Sequence, residues 1–116
     1  MTPIGPFVVE KRERLGIPQY QLAERVGVDP SYINRIENGL KSPGNLRFLK
    51  RLAEGLELTP EETTILFELA TSSQRVIRMP KNLSPQGYLV TTSFMSKIAR
   101  LSPVQLKLIE SVLDVF

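Results

Sequence analysis

The sequence contains neither cysteine nor histidine among its 116 residues. Their absence removes disulfides, thiolate nucleophiles, the tighter zinc sites and most familiar catalytic triads. Carboxylate chemistry remains open in principle, but the acidic residues are scattered at helix-surface spacings. No glycine-rich phosphate loop is present either. No apolar run approaches the roughly eighteen residues of a membrane span, and the N-terminus lacks the pattern of a secretory signal. The chain also shows no internal repeat. These absences lead us to expect a cytoplasmic protein that is not an enzyme and has no catalytic residue, metal, cofactor or membrane partner.

What is present is ordinary for a folded domain. Apolar residues make up 41% of the chain and charged residues 23%, which argues against disorder. The formal net charge of +3 is a weak pointer to nucleic acid, but its distribution says more. Residues 1–52 carry Lys11, Arg12, Arg14, Arg25, Arg35, Lys41, Arg47, Lys50 and Arg51 against Glu10, Glu13, Glu24, Asp29 and Glu37. Residues 53–73 are acidic only, with Glu54, Glu57, Glu61, Glu62 and Glu68, and Arg75, Arg78 and Lys81 then follow close together. One basic face beside an acidic shoulder would orient the protein on a polyanion.

The chain reads as a succession of short helices. Phe7, Val8, Lys11, Arg12 and Leu15 suit a first one, stopped by Gly16 and Pro18. Leu22, Ala23 and Val26 form an apolar stripe from Gln19 to Val26, and Gly27 is its natural left-handed cap. Asp29-Pro30 reads as an N-cap with proline in the first helical position. The helix it opens turns Ile33 and Ile36 inward and closes at Asn38-Gly39. Ser42-Pro43-Gly44 is a turn, with Asn45 capping a fourth helix through Leu46, Leu49, Leu52, Ala53 and Leu56. Thr59-Pro60-Glu61-Glu62 is a capping box that opens a fifth, with Ile65, Leu66, Leu69 and Ala70 on one side. Residues 71–93 read as a connector, with a strand expected at Tyr88 to Thr92. Ser102-Pro103 caps a last helix in which Leu106, Ile109, Leu113 and Phe116 share a face, while Leu108, Val112 and Val115 widen the apolar surface. We therefore expect an all-α fold: a five-helix domain over 1–73 and a mainly helical extension over 74–116.

The stretch from Gln19 to Gly39 carries the functional information. Two short helices meet at a sharp turn at Gly27, Ala23 is small where they must cross, and Val28, Ile33 and Ile36 fill the angle. This is what a helix-turn-helix requires, its second helix pushed out to fit a major groove. The sequence resembles the lambda-repressor-like family, in its Cro and xenobiotic-response-element branch, from about Phe7 to Leu58. The likeness rests on Arg12, Gln19 with Leu22-Ala23, Gly27, Tyr32-Ile33, Arg35-Ile36-Glu37, Gly39, Pro43 and Leu52-Ala53 at fixed spacing. The chain departs from the pattern at Pro18, where Ser or Thr usually caps the second helix, and at Leu40, often basic in relatives.

The resemblance implies a regulator of transcription that binds double-stranded DNA. Pro30, Ser31, Asn34 and Arg35 are then the base-reading positions, since arginine grips guanine and asparagine grips adenine bidentately. Gln19, Asn38, Lys41 and Arg47 become phosphate contacts. Tyr32 stays open between a phosphate contact and packing against the second helix. Lys50 and Arg51 read as solvent charges. The resemblance pairs Arg12 with Glu37 across the first and third helices, an architectural ion pair. A repressor is expected in preference to an activator, bound to a palindromic site as a homodimer in which the tail takes part. The alternative is an antitoxin-like protein whose residues 74–116 hold a partner toxin.

Overall fold

The computed structural model describes all 116 residues, Met1–Phe116, as seven α-helices and one short 3₁₀ turn, with no strand. The chain divides into two compact units, Met1–Ile77 and Arg78–Phe116. The all-α expectation holds.

The first unit contains α1 (Ile4–Arg14), α2 (Gln19–Val26), α3 (Pro30–Glu37), α4 (Leu46–Gly55) and α5 (Pro60–Ser72). α2 packs on α3 and α4, α1 packs on α3 and α5, and α4 packs on α5. Ile4, Val8, Leu22, Val26, Ile33, Ile36, Leu52, Leu56 and Leu66 are its largest fully buried side chains. Each such aliphatic contributes about 1.5–3 kcal/mol relative to exposure. α1 starts earlier than the apolar spacing suggested because Ile4 belongs to this core and its N–H donates to the buried Ser73 hydroxyl, 3.0 Å away. That hydroxyl donates in turn to the Leu69 carbonyl at 2.6 Å, tying the start of α1 to the end of α5. Gly5 is buried for a steric reason: a methyl there would stand 2.6 Å from the Glu37 carbonyl oxygen, so only glycine lets α1 cross α3 this closely.

The helix ends follow local chemistry. Gly27 takes φ +83° and ends α2 with its N–H on the Ala23 carbonyl. Asn45 Oδ1 accepts from the Phe48 N–H at 3.1 Å to open α4, and Thr59 with Glu62 forms the expected capping box on α5. Asp29 holds the N-cap position of α3, but its side chain caps nothing. The N–H it would take, that of Tyr32, donates to the Asp29 backbone carbonyl instead. Two apolar assignments also change. Leu46 and Ile65 are exposed, at 55% and 43%, whereas Phe48 is in the core.

The second unit holds α6 (Pro85–Lys97), the 3₁₀ turn Ile98–Arg100 and α7 (Pro103–Leu113). The strand expected at Tyr88 to Thr92 is part of α6. Ser84 caps that helix by accepting from the Gly87 N–H, and Pro85 supplies its first residue. The threonine hydroxyls of Thr91 and Thr92 donate to the carbonyls of Gly87 and Tyr88, one turn back. Capping and local bonding thus override the β preference of Val90-Thr91-Thr92. α7 opens with a second capping box, made by Ser102 and Gln105.

Candidate nucleic-acid interface

α2 and α3 meet through the turn at Gly27, with Ala23 buried and Val28 half-buried at the corner. One side of α3 puts Ile33, Ile36 and Glu37 into the domain. Its other side leaves Pro30, Ser31, Asn34 and Arg35 exposed. Lys41, in the segment after α3, and Arg47, in the first turn of α4, are exposed as well.

Beneath that face lies a polar cluster. Arg12 donates from Nε to Glu37 Oε2 at 2.7 Å and from Nη2 to Glu37 Oε1 at 3.1 Å. Its Nη1 donates to the Ile17 carbonyl at 2.9 Å, gripping the α1–α2 loop. The bond to Glu37 raises the Arg12 pKa above its usual value against the opposing effect of burial, so the guanidinium stays charged. Glu37 is only 6% exposed, so this bidentate pair belongs to the interior rather than to the exposed side of α3.

Gln19 connects the pair to the exposed face. Its Nε2 donates to Glu37 Oε1 at 2.9 Å, and its Oε1 accepts from Asn34 Nδ2 at 3.3 Å. Asn38 Nδ2 donates in turn to the Asn34 carbonyl and side-chain oxygens, at 2.9 and 3.2 Å. Residues assigned to different tasks from sequence are therefore joined in one chain of hydrogen bonds: Arg12, Glu37, Gln19, Asn34 and Asn38. Amide groups spaced along two helices were visible in the sequence, but their mutual orientation was not.

Tyr32 packs edge-on against Phe48, ring centroids 5.1 Å apart and planes at 89°. Burial pushes its phenol up from the usual value, so it remains a neutral donor at physiological pH. Phe48, missed by the apolar pattern, is what anchors that ring.

The cations separate into two sets. Lys11 and Arg14 of α1 both bind Glu62, at 2.9 and 2.6 Å, and Arg25 of α2 binds Glu57 at 2.9 Å. Arg35, Lys41 and Arg47 take part in none of the chain's salt bridges. The acidic shoulder thus neutralises charges of α1 and α2, leaving those of α3 and the segments that follow it unspent. No group of His, Cys, Asp or Glu is arranged to hold a metal ion, and no helix is long and apolar enough to cross a membrane.

A crossed helix pair with one exposed polar face and unpaired cations beside it defines a helix-turn-helix domain. Residues 8–62 match the helix-turn-helix family model. This region of the chain is similar to lambda-repressor/Cro-like helix-turn-helix domains, and the relatives it matches are named as HTH-type transcriptional regulators. The HTH-type transcriptional regulator SlrR of Bacillus subtilis (strain 168) is 37% identical over 68 residues, which are 59% of this chain and 43% of that protein. An uncharacterized HTH-type transcriptional regulator of Mycobacterium tuberculosis (strain H37Rv) is 36% identical over 57 residues, 49% of this chain and 40% of the relative. The chain spans less than half the length of these relatives. No solved structure matches it.

Proposed function

We propose that the protein is a sequence-specific transcriptional repressor that occupies a palindromic operator in double-stranded DNA as a homodimer. One observation carries the reading: the exposed side of α3 presents Pro30, Ser31, Asn34 and Arg35 beside cations that no carboxylate of the protein neutralises. Arg35 is the guanine reader and Asn34 the adenine reader, while Ser31 adds a hydroxyl and Pro30 an apolar contact. Lys41 and Arg47 neutralise phosphates on the flank of the groove.

Gln19 keeps one amide hydrogen after bonding Glu37, because an amide nitrogen carries two. That hydrogen, with the first free N–H groups of α2, is directed to a phosphate. Tyr32 offers its neutral phenol to the same backbone. Asn38 contributes by holding Asn34 and by whatever donor capacity remains to its amide.

Repression follows from occupancy alone, and the chain needs no cofactor or metal for it. One recognition helix reads one short segment of groove, so two copies on half-sites about 34–36 Å apart supply the specificity that one lacks. The division of labour is DNA reading by residues 1–73 and pairing or partner binding by residues 74–116, in the cytoplasm. The exposed apolar tail also favours a second reading, an antitoxin-like protein that holds a toxin there. Copurification of a small toxic protein would select that alternative.

The test is a pair of substitutions. Arg35→Ala should cost about 1–3 kcal/mol on the cognate site and relax preference at one base pair. Lys41→Ala should weaken cognate and random DNA alike and flatten the salt slope by about one unit. Equal losses on both kinds of DNA from both variants would refute the division into base and phosphate contacts.

A further inference from the structure

Charge is divided unevenly between the two units. Residues 1–77 hold ten cationic side chains and ten carboxylates, so the first unit is neutral in sum and the whole of the +3 lies in residues 78–116. From Leu69 to Ile109 there is no Asp or Glu at all. That acid-free tract begins with Arg75, Arg78 and Lys81, three exposed cations at intervals of three residues in the non-helical segment between α5 and α6. None of them takes part in a salt bridge. A domain whose own charge is balanced has little long-range attraction for a polyanion, and a run of unneutralised cations beside it supplies that attraction.

Hydrogen bonds fix where this segment leaves the first unit. Gln74 Nε2 donates to the carbonyls of Ala70 at 3.0 Å, Pro43 at 3.3 Å and Ser42 at 3.4 Å, pinning the end of α5 to the loop that follows α3. Just before Ser42 in that loop, the Lys41 N–H donates to the Arg35 carbonyl at 3.1 Å, and the Leu40 N–H donates to the same oxygen at 2.8 Å. Arg75 therefore departs beside a loop that carries Lys41 and is itself bonded to α3. We propose that residues Arg75–Lys81 form a second phosphate-binding element, an arm that runs along the backbone of duplex DNA beyond the groove that α3 reads. The proposal rests on the DNA-binding reading and extends it past residue 73.

Reach and chemistry fit that occupant. Three residues of extended chain span at most about 10 Å, so the three cations cover up to about 20 Å, roughly six steps of a strand that rises about 3.4 Å per nucleotide. Arginine and lysine hold phosphate without reading bases. The arm thus adds affinity that is independent of sequence and leaves the choice of bases to α3. Val76 and Ile77, exposed between Arg75 and Arg78, would also suit an anionic lipid surface. The root of the arm beside the Lys41 loop favours DNA, because it groups these cations with the ones assigned to the operator.

The experiment measures binding of the full chain to a random-sequence duplex about three helical turns long, across a range of salt concentrations. Each neutralised phosphate contributes about 0.9 to the slope of log affinity against log salt. Arg75→Ala with Arg78→Ala should flatten that slope by about 1.8 and leave the melting temperature unchanged, since both side chains are exposed. Lys50→Ala with Arg51→Ala removes the same charge from α4, where both side chains are exposed and outside every salt bridge. That variant should keep the wild-type slope, and Arg75→Lys with Arg78→Lys should restore it. An arm variant with the wild-type slope overturns the proposal, and so does an equal loss in the α4 variant, which would trace the attraction to total charge. A loss seen only on vesicles of anionic phospholipid, with duplex binding intact, overturns DNA as the occupant. Arg35→Ala and Lys41→Ala are measured alongside. If the arm variant flattens the slope while these two bind as wild type does, the arm stands and the reading of α3 falls. A wild type that binds no duplex overturns both.

Discussion

The two units of the chain begin their helices in the same way and differ in what those helices cover. Thr59 with Glu62 in the first unit and Ser102 with Gln105 in the second build equivalent capping boxes. Asn45 and Ser84 each cap another helix by accepting a backbone N–H. Yet the first unit encloses a continuous core from Ile4 to Ala70, and the second encloses none. A cap is worth about 0.5–2 kcal/mol, and helices of this length are marginal in water without tertiary burial. Local signals decide where a helix starts; burial decides whether it stands alone. Within the first unit, hydrogen bonds over long sequence distances, such as Ile4 to Ser73 and Arg12 to Glu37, add a constraint that the second unit lacks.

The largest effect should come from that constraint. Removing Arg12 leaves Glu37 buried with only Gln19 as donor, and removing Glu37 strands a guanidinium with one remaining carbonyl. Losing one partner of such a pair costs about 3–5 kcal/mol. Arg12→Ala and Glu37→Ala should each lower the unfolding free energy obtained from urea titration by that amount, and the double variant should cost less than the sum. Wild-type midpoints in both singles would show the pair to be ornamental.

A matched pair of leucine substitutions tests the contrast of cores directly. Leu52 is fully buried and Leu108 is 65% exposed. Leu52→Ala should cost about 2–5 kcal/mol through lost burial and a residual cavity. Leu108→Ala should change the unfolding free energy of the first unit by less than about 0.5 kcal/mol. Amide exchange should agree, with slow amides confined to α1–α5 at low concentration. Similar costs for the two substitutions would erase the distinction between the units.

Much of the first unit was legible because its signals are local. Proline behind a cap residue marks Pro30, Pro60 and Pro103 as helix starts, and periodicity puts Asn34 and Arg35 opposite Ile33 and Ile36. What depended on contacts between distant residues was not legible. Tyr32 had two readings until Phe48 stood beside it, and Gln19 had only a phosphate role until Glu37 and Asn34 were in reach. α6 misled for a related reason. Val90-Thr91-Thr92 carries a β preference, and nothing nearby reveals that the threonine hydroxyls fold back onto the preceding turn.

The smallest effect concerns the one strongly shifted carboxylate, which sits on the rim of the first unit where the second has no counterpart. Glu62 accepts from Arg14 Nη1 at 2.6 Å and from the Thr59 N–H at 3.0 Å, and pairs with Lys11 Nζ at 2.9 Å. The Arg14 bond most of all, then Thr59 and Lys11, hold its carboxyl well below the usual carboxylate range, against a weaker opposing effect of burial. In the unfolded chain the same group takes its proton near the ordinary value of about 4.3. As pH falls, the unfolded state is therefore protonated first. The stabilisation by this cluster is complete above about pH 4.3 and declines as pH drops from there toward the depressed native value. Glu62→Gln keeps an oxygen for the Thr59 N–H while removing the charge that Lys11 and Arg14 share. Its melting temperature should lie slightly below wild type at about pH 7, with a gap that narrows at about pH 3. The gap should narrow with added salt too, because the group borders solvent and both cations are screened. Thermal melts of both proteins at the two pH values and two salt concentrations decide the matter: a gap indifferent to pH and salt would mean that Glu62 acts only as a cap, with its ion pairs adding nothing to the fold.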